Sequence, residues 1–148
     1  MLRLSKLTDY AVVVMIHLHR GEAVQTSPGI ARDIGLPEPT VAKVLKSLAG
    51  SSLVVSQRGA RGGYRLARSL DGVSIAEVVE AIEGPIALTA CVEGTQGLCE
   101  SKALCPMHGR WDPVNDAIQQ ALSSIMLADM ARTQTRRSLA HFVALPAE

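Results

Sequence analysis

Apolar side chains recur along this chain at two spacings, and the change from one to the other marks its elements. Leu7, Tyr10, Ala11, Val14 and Leu18 follow the three-to-four step of one helical face, which predicts a helix from Lys6 to about Arg20 stopped by Gly21. The triplet Val12 to Val14 would also suit a strand, but the longer period favours helix. Ser27 followed by Pro28 reads as an N-cap with proline at the first helical position, opening a short helix through Ile34 that Gly35 ends. Pro37 and Pro39 hold Leu36 and Glu38 extended, so a new helix is expected from near Pro39 to Ala49, with Gly50 beyond it. Two short helices split by a tight glycine-containing turn form a helix-turn-helix.

The period then shortens. Leu53 to Ser56 and Tyr64 to Leu66 read as two strands around a basic, glycine-rich turn from Gln57 to Gly63, a hairpin placed as a wing. Ser74-Ile-Ala-Glu77 is a capping box for a helix through Ile82, closed by Gly84 and Pro85. From Ala90 to His108 no periodicity survives. Asp112-Pro113 caps a further helix from Pro113 to about Leu122, with Val114, Ala117, Ile118, Ala121 and Leu122 at helical spacing; Ser123-Ser124 breaks it, and Met126 to Ala131 adds a turn or two. The tail from Arg132 is weakly patterned and receives no role. The expected architecture is mainly α with a small β-hairpin: a winged helix-turn-helix domain over 1–84, a cysteine-rich loop over 85–109, dimerisation helices over 110–131 and a tail over 132–148.

Composition sharpens this picture through charge. Residues 1 to 70 carry ten Lys and Arg against four Asp and Glu, and residues 71 to 148 carry five against ten, so the halves are about +6 and −5 within a net charge of +1. The first half is suited to a polyanion and the second is not. Four aromatics, Tyr10, Tyr64, Trp111 and Phe142, are too few for a platform that stacks single-stranded bases, so duplex DNA is the expected partner. In the second helix of the pair, Val41, Val44, Leu45 and Leu48 must face the core, which turns Thr40, Lys43, Lys46 and Ser47 outward toward a major groove. In the wing, Arg58 and Arg61 sit among three glycines that allow close approach to a sugar–phosphate strand. Taken alone these features also suit a solvated helix face and a surface turn.

No stretch reaches membrane-spanning length, and Asp9 interrupts the short apolar run that superficially suggests a signal peptide, so a cytoplasmic protein with no membrane partner is expected. Three cysteines cannot pair off completely, which in a reducing compartment favours a metal or redox role. Cys91-x7-Cys99-x5-Cys105-x2-His108 offers three soft thiolates and an imidazole within eighteen residues, a set that can surround one tetrahedral zinc or hold a small iron–sulfur cluster. Spacing by itself favours zinc; the loop glycines Gly94, Gly97 and Gly109 argue against a rigid structural site. No nucleophile motif is present, so neither catalysis nor a small-molecule substrate is expected.

Three segments carry a resemblance. Leu4-Ser5-Lys6-Leu7-Thr8-Asp9-Tyr10-Ala11, Leu36-Pro37-Glu38-Pro39-Thr40-Val41 and Arg58-Gly59-Ala60-Arg61-Gly62-Gly63-Tyr64 resemble the Rrf-two family of bacterial regulators, and within it the chain is most similar to IscR-like regulators of iron–sulfur assembly, especially the SUF-pathway type. The resemblance covers roughly residues 1 to 131. It implies a homodimeric repressor whose DNA affinity is set by an iron–sulfur cluster on Cys91, Cys99, Cys105 and His108, with 2Fe–2S favoured over 4Fe–4S. Such relatives space their cysteines x5 and x5 with a histidine three residues after the last; here the first gap is x7. NsrR-like members, which carry a 4Fe–4S cluster, share the aspartate of Thr8-Asp9-Tyr10, so Asp9 from the partner subunit is the alternative fourth ligand. Asp9 also suits a plain first-turn position complementing the helix dipole. Two other readings stay open: a winged-helix regulator with structural zinc, and a thiol or cluster redox module. His17, His19 and His141 are expected to pack or lie at the surface.

Overall fold

A computed structural model describes residues 2–92, 99–101 and 103–133. Helix α1 (Lys6–Arg20) begins at Ser5, whose hydroxyl accepts from the Thr8 N–H, and buries Ala11, Val14, Met15 and Leu18. Helix α2 (Ser27–Ile34) is capped one residue earlier than the sequence predicts: Thr26 accepts from the Gly29 N–H, leaving Ser27 inside the first turn. Gly35 ends α2 in the left-handed region at φ 71°, a conformation that favours a residue without Cβ.

Helix α3 (Glu38–Gly50) also starts one residue early and ends one later than expected. Pro37 serves as its cap through the backbone, its carbonyl accepting from Thr40 and Val41 at 3.0 and 3.1 Å. Glu38 is thereby helical despite the proline after it, and its carboxylate takes the Ser27 hydroxyl at 3.1 Å, joining the starts of α2 and α3. Strands β1 (Val54–Gln57) and β2 (Gly63–Leu66) pair antiparallel with Val54 opposite Leu66 and Gln57 opposite Gly63; β1 is shifted one residue onward from its expected bounds, and β2 starts one residue early and ends where expected.

The predicted capping box is present: Ser74 and Glu77 exchange side-chain and backbone bonds at the start of α4 (Ile75–Glu83). The Glu77 carboxylate loses solvation through burial, yet the bonds from the Ser74 N–H and the Arg68 guanidinium outweigh this and hold its pKa below the usual value. At the far end of α4, Glu83 accepts from the Thr8 hydroxyl and from the Ser5 N–H. These two bonds keep its carboxyl below the ordinary range against a smaller opposing effect of burial, and they tie the end of α4 to the start of α1.

Helix α5 (Asp112–Ser124) begins with Trp111 at the cap and no side-chain capping bond, so Asp112 is a first-turn residue instead of the expected cap. The helix runs through Ser123-Ser124, and the break falls at Ile125, which is extended. Helix α6 (Leu127–Thr133) returns to the winged part: the Ile75 N–H donates to the Ile125 carbonyl at 2.9 Å and the Leu127 N–H to that of Val73 at 2.8 Å. Leu127 is fully buried there among Met15, Ile30, Val41, Leu45, Leu70 and other apolar side chains of one continuous core. Arg132, in the segment left without a role by the sequence, pairs with Asp71 at 2.9 Å.

Candidate functional site

The core-facing residues of α3, Val41, Val44, Leu45 and Leu48, are at most 1% exposed, so the opposite face is set by rotation alone. Lys43 and Lys46 stand exposed on it, with Thr40 and Ser47 half-buried at its margins. Gly35 makes the turn that delivers α3 after α2, and the Leu36 N–H closes back on the Ala31 carbonyl at 3.1 Å.

Arg58 and Arg61 are both exposed at the tip of the hairpin, where the Gly62 N–H bonds the Gly59 carbonyl at 2.9 Å. The hairpin is held against the segment before α2: Gln25 and Tyr64 exchange both backbone bonds, at 3.0 and 2.7 Å. Gly63 makes that approach possible, since a Cβ there would lie 2.4 Å from the Gln25 carbonyl oxygen, and its φ is 153°. Helix pair and wing are thus fixed to one another through backbone. Arg65, exposed at the centre of β2 opposite Val55, adds a third wing cation beside the two expected from the sequence. Period-two alternation in Gly63-Tyr64-Arg65-Leu66 is the signal that would have found it.

The cysteine loop is built of turns. Cys91, Cys99 and Cys105 are free thiols, each half-buried. Cys91 sits in a turn closed by the Val92 N–H on the Thr89 carbonyl at 3.4 Å, with the Thr89 hydroxyl 3.1 Å from its sulfur. Cys105 and His108 share a second turn, closed by the His108 N–H on the Cys105 carbonyl at 3.1 Å, and the His108 side chain is exposed. Among the described residues no three His, Cys, Asp or Glu side chains lie close enough to hold a metal ion, so the four donors are not brought together. Gly94 and Gly97 fall outside the described residues. Asp9 lies exposed in the first turn of α1. His17 is half-buried, in keeping with the expected packing role, with its Nε2 3.5 Å from an Asp33 carboxylate oxygen, and His19 is exposed; His141 lies outside the described residues.

The apolar positions foreseen on α5 divide. Ile118 and Leu122 are half-buried against α4 and the N-terminal Leu2 and Leu4, along a groove of about 380 Å3, whereas Val114, Ala117 and Ala121 are exposed. The one buried residue of α5 is polar. Asn115, 3% exposed, was missed because the pattern was read for apolar residues, although it lies three and seven positions before Ile118 and Leu122 on the same face.

Residues 4–133 match the sequence profile of Rrf2, described as an iron-dependent transcriptional regulator. The chain belongs to the Rrf2 family. It is 30% identical over 135 residues to the HTH-type transcriptional regulator IscR of Xenorhabdus nematophila, covering 90% of this chain and 81% of that protein. Its fold is similar to that of T. potens IscR, with a TM-score of 0.64 at 29% identity over 94% of this chain and 93% of that one. CymR, the global cysteine regulator of B. subtilis, superposes with a TM-score of 0.65 at 28% identity, over 88% of this chain and 97% of CymR. The chain is therefore an IscR-like transcriptional regulator of the Rrf2 family, a family of DNA-binding proteins, and its relatives are regulators instead of enzymes. Among the described residues no helix is long and apolar enough to cross a membrane.

Proposed function

We propose that this Rrf2 chain is a homodimeric, cytoplasmic repressor of iron–sulfur assembly genes whose grip on its operator depends on an iron–sulfur cluster held by its own loop. The observation that carries this reading is that one short chain joins a basic helix and wing to three uncommitted thiols and an imidazole. Lys43 and Thr40 reach base edges from α3, Lys46 and Ser47 flank them, and Arg58 and Arg61 hold phosphate or enter a minor groove beside the hairpin. The likeness to proteins named IscR supports the choice of signal.

The donor set fits such a group: Cys91, Cys99 and Cys105 are free and soft, and His108 supplies the fourth position in a 2Fe–2S site, with the exposed Asp9 of a partner subunit as the alternative. When bound, the cluster supplies a redox-active centre whose presence reports on cluster supply or oxidative stress. The residues from 85 to 109 then act as the sensing loop, α5 supplies the dimer contact through its exposed Val114 face, and residues 1–84 read DNA.

Anaerobic purification followed by iron and sulfide quantification tests the reading directly. A loaded protein should absorb visible light, which a zinc protein does not, and Cys105→Ala should abolish the colour. On one operator at one salt concentration, holo protein, apo protein and Cys105→Ala should then separate, with a coupling of about 1–3 kcal/mol between cluster and DNA. A colourless protein, or equal affinities for all three forms with the cluster confirmed in the first, overturns the sensor reading.

A further inference from the structure

The buried amide of Asn115 joins α5 to the chain that leads into the first cysteine. Its Oδ1 accepts from the Leu88 N–H at 2.9 Å and its Nδ2 donates to the Ile86 carbonyl at 3.0 Å. Residues 86 and 88 lie in neither helix nor strand, so Asn115 takes the place that a neighbouring strand would have in satisfying their backbone groups. Cys91 follows three residues after Leu88. Beyond it, Val92 is 6% exposed and lines, with Ile86, Asn115 and Asp116, a cavity of about 280 Å3 against α5. The arm carrying Cys91 is therefore bonded to α5 before the thiol, and the residue after the thiol is buried at the wall of a cavity that α5 also lines. The other arm, with Cys105 and His108, runs through Gly109 and Trp111 straight into the first turn of α5.

We infer that Asn115 is a positioning residue that sets where Cys91 stands relative to α5, so that joining the two ligand arms is felt by the helix that makes the dimer contact. This rests on the proposed cluster reading and adds to it the element through which loading acts. A polar residue enclosed on an otherwise apolar face loses solvation that only its partners restore, and both partners here belong to the ligand arm. The apolar contact of α5 toward α4 comes from Ile118 and Leu122. What the amide adds is a fixed register between the helix and the arm.

Two variants separate this from simple stability. Asn115→Ala leaves both backbone groups unpartnered, while Asn115→Asp keeps the acceptor for Leu88 and loses the donor to Ile86. In anaerobically loaded protein, Asn115→Ala should release iron to a chelator roughly 10- to 100-fold faster than the wild type, the range usual for partners that orient metal ligands. Its visible circular dichroism should change, and the ratio of holo to apo affinity for the operator should fall toward one while apo affinity is retained. Asn115→Asp, which sets a carboxylate oxygen against the Ile86 carbonyl where the amide donated, should release iron at least as fast as Asn115→Ala. Unchanged release rates and dichroism in both variants, beside a normally loaded wild type, overturn the inference and leave the cluster reading standing. A wild type that loads no iron and sulfide overturns both. If Asn115→Ala does not fold, Asn115→Asp carries the comparison; if neither folds, Asn115 is a structural residue only and the inference falls.

Discussion

Lys43 and Arg58 project from opposite parts of the candidate DNA surface, one from α3 and one from the wing tip, and both are exposed. Lys43→Ala and Arg58→Ala should each weaken operator binding and leave the melting temperature unchanged. A base-directed contact should cost about 1–3 kcal/mol on the specific site alone, whereas a phosphate contact should weaken all sequences alike and flatten the salt dependence. Footprinting-matched titrations at several salt concentrations distinguish the two, and no change in either variant would misplace the surface. A second residue-scale consequence concerns Glu83. The Thr8 hydroxyl and Ser5 N–H hold its carboxyl below the ordinary value, so its contribution to stability is full above the unfolded pKa and disappears as pH falls through the lowered folded one. Because the carboxylate is solvent-screened, that contribution is at most about 1 kcal/mol. Glu83→Gln should therefore lower the denaturation midpoint at pH 7 and leave it nearly unchanged near pH 3; an equal loss at both would show that the charge plays no part.

Among the elements, α5 and α6 follow each other directly and behave in opposite ways. α6 places Leu127 at zero exposure inside the core, while the face of α5 around Val114 remains in solvent, Val114 itself being 45% exposed. Leu127→Ala should cost about 2–5 kcal/mol in urea denaturation, as other large-to-small changes in closed cores do. Val114→Ala should cost the isolated fold little. A mild Leu127 variant would mean that α6 is loosely attached and that the bridge between Ser74 and Met126 does not hold it. The same contrast explains what the hydrophobic pattern could show here. Met126 to Ala131 has helical spacing, but spacing does not say which surface a helix meets. The pairing of residues 125–127 with 73–75 decides that, through backbone groups that almost any residue but proline could have supplied. The helix ends show the same limit in small: Thr26 and Ser27 are both competent caps, and which of them bonds the next free N–H depends on where the preceding strand-like Gln25 is fixed by Tyr64.

At the scale of the whole molecule, a chain with an apolar helix face left in solvent and a two-signed charge distribution is suited to pairing through its acidic half and binding DNA through its basic half. Sedimentation should find a two-fold dimer at micromolar concentration, and the operator should be a dyad with half-sites about one helical turn, or a multiple, apart. A monomer under those conditions contradicts it, and Val114→Ala should shift the equilibrium toward monomer. The amino-acid sequence by itself determined the helices and hairpin, the core face of α3, the outward Lys43 and Lys46 and the basic turn, because each is written in local periodicity, capping chemistry or side-chain type. It also carried the family, through segments whose residues make the wing and the turn. Tertiary structure alone decided that Gly63 must lack a Cβ beside Gln25, that Glu83 closes onto Ser5 and Thr8, that α6 turns inward, and that a polar Asn115 occupies the buried position on α5. Each of these joins groups distant in the chain, and the physical reason is common to them: a backbone or side-chain polar group is satisfied by whatever packing brings within about 3 Å, and local pattern contains no record of that partner.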